Sequence, residues 1–303
     1  MQNENSLVSP EFSVTVVIAT LGIKSVVNVI SALNNGSIAP FEVLICIPQD
    51  VAYRLQNLEI SNVRILHTPC YGQVAQRALG FNQVRTNLVL QLDDDIELRH
   101  DCLEKLIRFI NTNHDLAVAP KMHDKRTLKY HTFMTLNLDK SLIFQKVIFW
   151  IVNGKKGYRP GKIGRAGVNM GLPEYPENWS NLEWLPGGCV LHWRENLILF
   201  DFYPLTGKAF AEDLFHSYLL RKKRITLSRC GKAVCYVDFS NDTKFNIFGV
   251  IKWYLNYAKA LRKFLMLHSE NLTFLYLYRL IFLYLYLFLN LLNRLVNTRI
   301  RGL

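Results

Sequence analysis

The sequence predicts an α/β fold with a mostly parallel sheet that helices cover on both faces. Over the first 120 residues, apolar β-branched runs alternate with segments whose apolar residues recur at helical spacing. The runs are apolar throughout, as strands buried on both faces are. Three carboxylates, Asp93, Asp94 and Asp95, directly follow one run. Open α/β sheets bind their ligands at such strand ends.

The elements follow in order along the chain. We predict strands at 13–19, 42–47, 62–66, 87–92 and 116–119. We predict helices at 23–34, 71–83 and 101–110. Asn34-Asn35-Gly36 stops the first helix, and Asp101 caps the third. A strand at 189–193, a helix at 211–222 and short β-like runs in 225–239 complete a domain of residues 1–241.

Residues 121–186 do not continue this alternation of strands and helices, and we interpret them as an insertion. They contain a Gly-rich, basic stretch at 154–167. Such a stretch suits a loop at a phosphate-bearing site, and it equally suits a solvated connection.

Residues 242–303 differ in character and form a basic, apolar helical tail. Residues 245–268 predict a basic amphipathic helix, and 272–292 is a 21-residue run with a single charge, Arg279. Lys and Arg flank that run on both sides, which opposes a single membrane pass. We expect helices lying in the cytoplasmic membrane interface; the alternatives are a true span and a packed helical subdomain, which a homo-oligomer would help to bury.

Composition limits the classes of binding partner and the cellular compartment that we expect for this chain. The 303 residues carry a formal charge of +12 and a pI near 9.4, which favours an anionic partner. No nucleic-acid motif occurs, so a membrane surface is preferred. Six cysteines without a CxxC pair indicate reduced, mostly buried thiols. The polar residues 1–10 lack a secretory signal, and we expect the enzymatic domain to be cytosolic.

Two acidic clusters lie about 120 residues apart and indicate group-transfer chemistry. Asp93–Asp95 offers oxygen ligands to Mg²⁺ or Mn²⁺, cations that usually share their site with substrate phosphates. Glu212-Asp213 opens a helix and offers a general base. Each cluster has a simpler interpretation, because carboxylates also stabilise helix N-termini.

The ordered motifs resemble a known family. They are VVIAT at 16–20, QVAQR at 73–77, LDDDI at 92–96, WLPGGC at 184–189 and ED at 212–213. Together they resemble family-2 inverting glycosyltransferases of the GT-A (Rossmann-like) fold, of the type that builds bacterial surface polysaccharides. The resemblance covers about residues 12–240 and makes 121–186 the acceptor-side insertion.

The resemblance implies a role for each site residue. Asp95 and Asp93 would hold a divalent cation, Mg²⁺ or Mn²⁺. Thr20, Arg77, Asp93 and Asp94 would bind the donor, a nucleotide-diphospho sugar. Asp213 would be the catalytic base, with Glu212 beside it. For Arg77 the alternative is a solvated helix face, and for Asp94 it is the start of a helix.

The implied reaction is single-sugar transfer with inversion to a glycan or a lipid-linked acceptor. The chain lacks the QxxRW motif of processive synthases. Two positions depart from the family. Gln49 or Asp50 stands where relatives carry an Asp-rich nucleotide contact, and Asp238 stands where many carry a late His.

Two other classes of function stay open at this point. One is a nucleotidyltransferase, although only a trace of its Gly-rich basic loop follows the first strand. The other is a non-catalytic membrane-attached sugar-binding protein, against which the presence of both Asp95 and Asp213 counts.

Overall fold

The computed structural model describes residues 12–23, 26–111, 113–130, 157–164, 167, 169–206, 208–238, 247–268, 280–281, 284–285 and 288. The chain divides into two compact units. The first comprises Met1–His131 and Tyr175–Asp238. The second comprises Thr132–Glu174 and Phe239–Leu303.

A nine-stranded sheet forms the centre of the first unit. Its strands are β1 (Val14–Ala19), β2 (Glu42–Pro48), β3 (Val63–Thr68), β4 (Leu88–Asp93), β5 (Ile96–Leu98), β6 (Leu116–Asp124), β7 (Trp179–Leu182), β8 (Cys189–Trp193) and β9 (Thr226–Val237). The order is β3-β2-β1-β4-β8-β6-β9-β5, and β7 pairs with β9. The predicted α/β class is confirmed.

The strand directions bring most strand ends to one edge of the sheet. β1 to β4 are parallel, and β6 and β9 run with them, because β8 is antiparallel to both β4 and β6. β1 to β4, β6 and β9 therefore end at the same edge, while β8 begins there. Leu92 of β4 pairs with Cys189 of β8, so the segment before Cys189 lies beside Asp93.

Four helices belong to this unit: α1 (Val26–Asn34), α2 (Gln73–Phe81), α3 (Cys102–Ile110) and α4 (Glu212–Lys222). α2 packs on β1 and β2, and α3 packs on β6 and β9. The apolar residues of α3 are buried at 103, 106, 107 and 110, which is the spacing of one helix face. All six cysteines are free thiols and five are buried.

The sheet is larger than the sequence prediction. β6 continues through Pro120 to Asp124, whereas the prediction ended it before the proline. The pairing register with β9 shifts between Pro120 and Lys121. At such an irregularity the missing N–H of proline costs no ladder hydrogen bond. The β-like runs in 225–239 form one long strand, and β5 and β7 were not predicted.

The described part of the second unit includes α5 (Ile247–His268). One face of its second half is buried, with Phe264 and Leu265 fully covered. Gly167 has a φ of +73° and lies against α5, since a Cβ there would be 3.0 Å from Leu265 Cδ2. Within the described ranges, no helix is both long and apolar enough to cross a membrane. The predicted run at 272–292 lies mostly outside the described residues.

Candidate active site

Asp93 ends β4 and lies at the centre of the acidic edge. Its carboxylate accepts a hydrogen bond from Gln73 Nε2 at 2.6 Å and a further one from the Arg77 guanidinium. Its backbone N–H donates to the Gly188 carbonyl oxygen at 2.8 Å. Burial raises the pKa of Asp93 to about 6, against the opposing charge of Arg77 and with the repulsion of Glu212 and the neighbouring aspartates. Asp93 is therefore tied to protein donors.

Arg77 joins the two acidic clusters. Its side chain is only 4% exposed, which excludes the solvated helix face. The guanidinium binds Asp93, and Nη1 lies 3.1 Å from Glu212 Oε1. Burial lowers the Arg77 pKa, but the attraction of the two carboxylates outweighs it and the pKa is raised. The charged guanidinium thus couples the end of β4 to the start of α4.

Thr20 fixes Asp94 at the end of β1. Thr20 Oγ1 donates to Asp94 Oδ2 at 2.5 Å and accepts from the Gly22 N–H at 2.9 Å. Gln76 Nε2 donates to the Thr20 and Cys46 carbonyl oxygens at 3.0 and 2.8 Å. No helix begins at Asp94, because a turn and β5 follow it, so the helix-start alternative is wrong. The structure brings Thr20 and Asp94 together, as a shared donor site would require.

Asp95 and Asp238 lie at the same level of the sheet. Antiparallel pairing joins Ile96 to Val237 and Glu97 to Tyr236. Asp95 directly precedes Ile96 and Asp238 directly follows Val237, so both residues adjoin the last pair of this ladder. The position that held a late His in the family resemblance therefore offers a second carboxylate here.

These carboxylates suit a hard divalent cation. Mg²⁺ is usually held by one or two carboxylates and completed by water and substrate phosphates. Among the residues that the structure describes, no three His, Cys, Asp or Glu side chains are grouped as metal ligands. The oxygen donors of Asp95 and Asp238 fit the kind of site that a diphosphate completes.

Asp213 lies in the first turn of α4. Ala211 precedes the helix in a left-handed conformation with a φ of 52°. Burial raises the pKa of Asp213 to about 7, and the neighbouring charge of Glu212 adds to the rise. A carboxylate whose pKa lies near the working pH is suited to general-base catalysis. The geometry thus separates the pair: Glu212 holds Arg77, and Asp213 is left to titrate near neutrality.

Two glycines allow the carboxylates of Glu212 and Asp93 to approach the start of β8. A Cβ on Gly187 would lie 2.5 Å from Glu212 Oε1, and one on Gly188 would lie 3.0 Å from Asp93 Oδ2. Gln91 donates to the Gly187 carbonyl oxygen and holds this segment in place. Any larger side chain would displace a carboxylate.

Sequence reasoning did not assign roles to Gln73 and Gln76. Both lie in the 73–77 motif with Arg77, at positions i, i+3 and i+4 of α2. Residues at this spacing share a helix face. The polar stripe could have indicated that all three side chains point to the carboxyl ends of the strands.

Comparisons with known proteins identify one matching family. Residues 48–161 match the family described as glycosyl transferase family 2. The match covers the Asp93–Asp95 triplet and Arg77, while Glu212 and Asp213 lie beyond it. No curated protein sequence matches this chain.

One of two similar solved structures supports the fold. The crystal structure of GalNAc-T7 with UDP, GalNAc and Mn²⁺ matches this chain with a TM-score of 0.55 and 13% identity, over 75% of this chain and 43% of that one. The structure of S. aureus TarS 1-349 matches with a TM-score of 0.45 and 14% identity, over 84% and 65%. The chain thus spans less than two thirds of either structure. The GalNAc-T7 likeness shows a shared fold.

Proposed function

We propose that this protein is a metal-dependent, inverting glycosyltransferase that moves one sugar from a nucleotide-diphospho sugar to an acceptor hydroxyl. One arrangement carries the proposal. A carboxylate with a pKa near 7, Asp213, begins a helix that Arg77 joins to the acidic end of β4. A base and a set of cation-binding oxygens at one sheet edge are the groups that such a transfer needs.

The donor would lie across the carboxyl ends of β1 and β4. Thr20 and Asp94, held together at 2.5 Å, would contact the nucleoside. Asp95 and Asp238 would hold Mg²⁺ or Mn²⁺ with the diphosphate. When bound, the cation would neutralise the diphosphate as it leaves. The GalNAc-T7 structure contains UDP and Mn²⁺, which supports this class of donor and cofactor.

The acceptor hydroxyl would lose its proton to Asp213. Its oxygen attacks the anomeric carbon from the face opposite the diphosphate, the carbon–diphosphate bond breaks, and the configuration inverts. Glu212 is already bound to Arg77, so it would orient the first turn of α4 while Asp213 takes the proton. No covalent enzyme intermediate is required.

We further propose that the second unit holds the enzyme on the cytoplasmic face of a membrane, where cell-surface polysaccharides are assembled. Trp253 and Leu255 are exposed on α5, and Lys252 lies exposed beside them. Four helical residues, Ile281, Tyr284, Leu285 and Phe288, are also exposed and recur at the spacing of one helix face. Apolar side chains beside lysines suit an anionic lipid surface.

The test is a screen of the full-length protein in detergent against nucleotide-diphospho sugars. Donor hydrolysis and melting temperature are measured with Mn²⁺, with Mg²⁺ and with EDTA. A ligand at a hundredfold excess over its Kd stabilises the native state by about 2.7 kcal/mol. We expect one nucleotide to stabilise the protein only when metal is present. The absence of stabilisation or hydrolysis across the whole panel would contradict the proposal.

A further inference from the structure

Lys121 is a buried cation that lies apart from the acidic edge. It belongs to β6 and is only 6% exposed. Its Nζ lies 5.0 Å from the centroid of the Tyr175 ring. Within the described part of the chain, the ammonium has no carboxylate or hydrogen-bond partner. The ammonium nitrogen is not among the wholly buried polar atoms that lack a partner, so an anion can reach it.

A second buried cation, Arg229, contacts the segment that directly follows Tyr175. Arg229 of β9 is 3% exposed. Its guanidinium donates to the Tyr130 hydroxyl at 2.7 Å and to the Pro176 carbonyl oxygen at 2.9 Å. It also lies over the Tyr130 ring, 5.5 Å from the centroid. Because Tyr175 directly precedes Pro176, both cations border one aromatic corner.

His123 adds a polar group to this corner. Its ring lies edge-on to Tyr130 and Tyr236, with centroids 6.1 and 6.3 Å away. Nδ1 lies 2.9 Å from the Leu128 carbonyl oxygen, so Nδ1 carries the proton and donates. Nε2 is buried and has no partner among the described residues. In this tautomer Nε2 can accept a hydrogen bond from a ligand hydroxyl.

The corner faces the same side of the sheet as the acidic edge. His123 pairs with Tyr236, and Tyr236 pairs with Glu97. Lys125 Nζ reaches Glu97 Oε1 at 2.5 Å, which confirms a common face. Side chains alternate along a strand, so Lys121 of β6 also lies on this face. Lys121 pairs with Val234, and Ile96, which follows Asp95, pairs with Val237. The two positions are therefore three residues, or about 10 Å, apart along β9.

We propose that Lys121, Arg229 and His123, bordered by Tyr130 and Tyr175, bind a phosphate group of the acceptor and a hydroxyl beside it. The inference rests on the proposed function, since it assigns the chemical class of that acceptor. A phosphate oxygen compensates the Lys121 ammonium, and the hydroxyl satisfies His123 Nε2. The phosphate belongs either to a lipid carrier or to a soluble polyol or sugar phosphate.

The experiment measures phosphate binding separately from donor binding. Full-length protein in detergent and EDTA is titrated calorimetrically with glycerol 3-phosphate, with a polyprenyl phosphate and with glycerol. Stronger binding of one phosphate identifies the soluble or the lipid source. We expect Lys121→Met to weaken phosphate binding about tenfold or more, because a charge-assisted contact is lost. Lys121→Arg retains binding within about threefold.

The matched control is Lys129→Met, the same substitution at an exposed lysine on the adjoining turn. It should leave phosphate binding unchanged. Equal loss in Lys121→Met and Lys129→Met would overturn the proposal, because surface charge alone would then explain binding. Binding of neither phosphate above glycerol would overturn it as well.

Two further measurements keep the test decisive. In the wild-type protein, glycerol 3-phosphate should shift the NMR resonances of the His123 ring. The resonances of the exposed His100 should stay in place. Unchanged His123 resonances would contradict the site, and this measurement does not require Lys121→Met to fold. Donor binding with Mn²⁺ should be the same in all variants. A wild-type protein that binds phosphate but no donor retains this site and contradicts the proposed function instead.

Discussion

Arg77 and Glu212 lie 135 residues apart in the sequence and form an ion pair with an Nη1–Oε1 distance of 3.1 Å. The same guanidinium holds Asp93. The end of β4 and the start of α4 therefore share one buried positive charge. A change at Arg77 is therefore expected to disturb both the strand end next to Asp95, the proposed cation ligand, and the first helical turn that carries Asp213, the proposed base.

Arg77→Lys should destabilise the protein and abolish transfer. An ammonium lacks the planar fork that reaches two carboxylates, so the exchange is not conservative here. Breaking a buried ion pair typically costs about 3–5 kcal/mol. Urea unfolding of the wild type and the variant measures the change. Arg85→Lys, the same exchange at an exposed arginine, is the control. Equal stability of the two variants would show that Arg77 does not join the clusters.

Asp213→Asn should reduce turnover while donor binding is retained. Asn cannot take the proton, and general-base catalysis typically contributes about 10²–10⁴-fold. Turnover and donor affinity are measured on the same preparation. Asp115→Asn, an exposed position, should leave both unchanged. A large loss of donor affinity in Asp213→Asn would reassign Asp213 to the donor or metal site.

The pKa of Asp213 also predicts how stability depends on pH. Burial raises it from 3.8 to about 7, so the folded protein holds this proton more tightly than the unfolded chain. The stabilisation is complete below about pH 3.8 and is lost as the pH rises through about 7. Asn does not titrate. Relative to Asp213→Asn, the melting temperature of the wild type should therefore fall between pH 4 and 7 and level off above.

Asp93, whose pKa is raised to about 6, titrates in both proteins and so largely cancels in this difference. Melting curves of both proteins across this range supply the comparison. Parallel profiles for wild type and Asp213→Asn would mean that Asp213 is ionised throughout, and the assignment of its raised pKa would be wrong.

Asp95→Asn should remove metal-dependent donor binding without unfolding the protein. Asp95 is a half-buried residue at a strand end, so its exchange leaves the apolar core intact. The melting temperature is measured with nucleotide sugar and Mn²⁺, then with EDTA. We expect the metal-dependent increase to disappear in Asp95→Asn and to persist in Asp115→Asn. Full activity of a folded Asp95→Asn protein would exclude Asp95 as a metal ligand.

Removal of residues 242–303 should release the protein from membranes. The shortened chain should bind the donor but lose transfer to a lipid-linked acceptor. In flotation with phosphatidylglycerol vesicles, the full-length protein should remain bound at high salt, because its apolar contacts survive screening. Each lysine or arginine near the surface contributes about 1 kcal/mol, so phosphatidylcholine vesicles should bind more weakly.

Point variants test this membrane contact within the full-length chain. Leu255→Ser, at a side chain 64% exposed on α5, should weaken vesicle binding. Phe41→Ser, at a side chain 71% exposed in the first unit, should not. Clean release of the full-length protein by salt, or a detergent-free soluble homo-oligomer, would show that the tail packs against protein instead.

The sequence predicts the parallel half of the fold well, because β1, β2 and β4 are buried along their length. β5 has only three residues, too few for any period to emerge. β7 has an irregular register against β9 and mixed burial. β6 passes Pro120 only because a register shift in β9 accommodates it. These features depend on pairing partners that are distant in the chain.

The same distinction applies to the site. Strand ends and helix starts are local signals, and they indicated Asp93–Asp95 and Glu212-Asp213. The bridge through Arg77 and the burial that raises the Asp213 pKa arise only once the chain is folded. Lys121 shows no local signal at all, since a lysine in a basic segment is ordinarily exposed.

The Arg229 guanidinium holds the two ends of a long insertion together, through the Tyr130 hydroxyl before residues 131–174 and the Pro176 carbonyl after them. The chain leaves the first unit after His131 and returns to it at Tyr175. Arg229 therefore acts for the first unit as a non-covalent cross-link, which closes the chain at the point of departure and return without a contribution from the residues between.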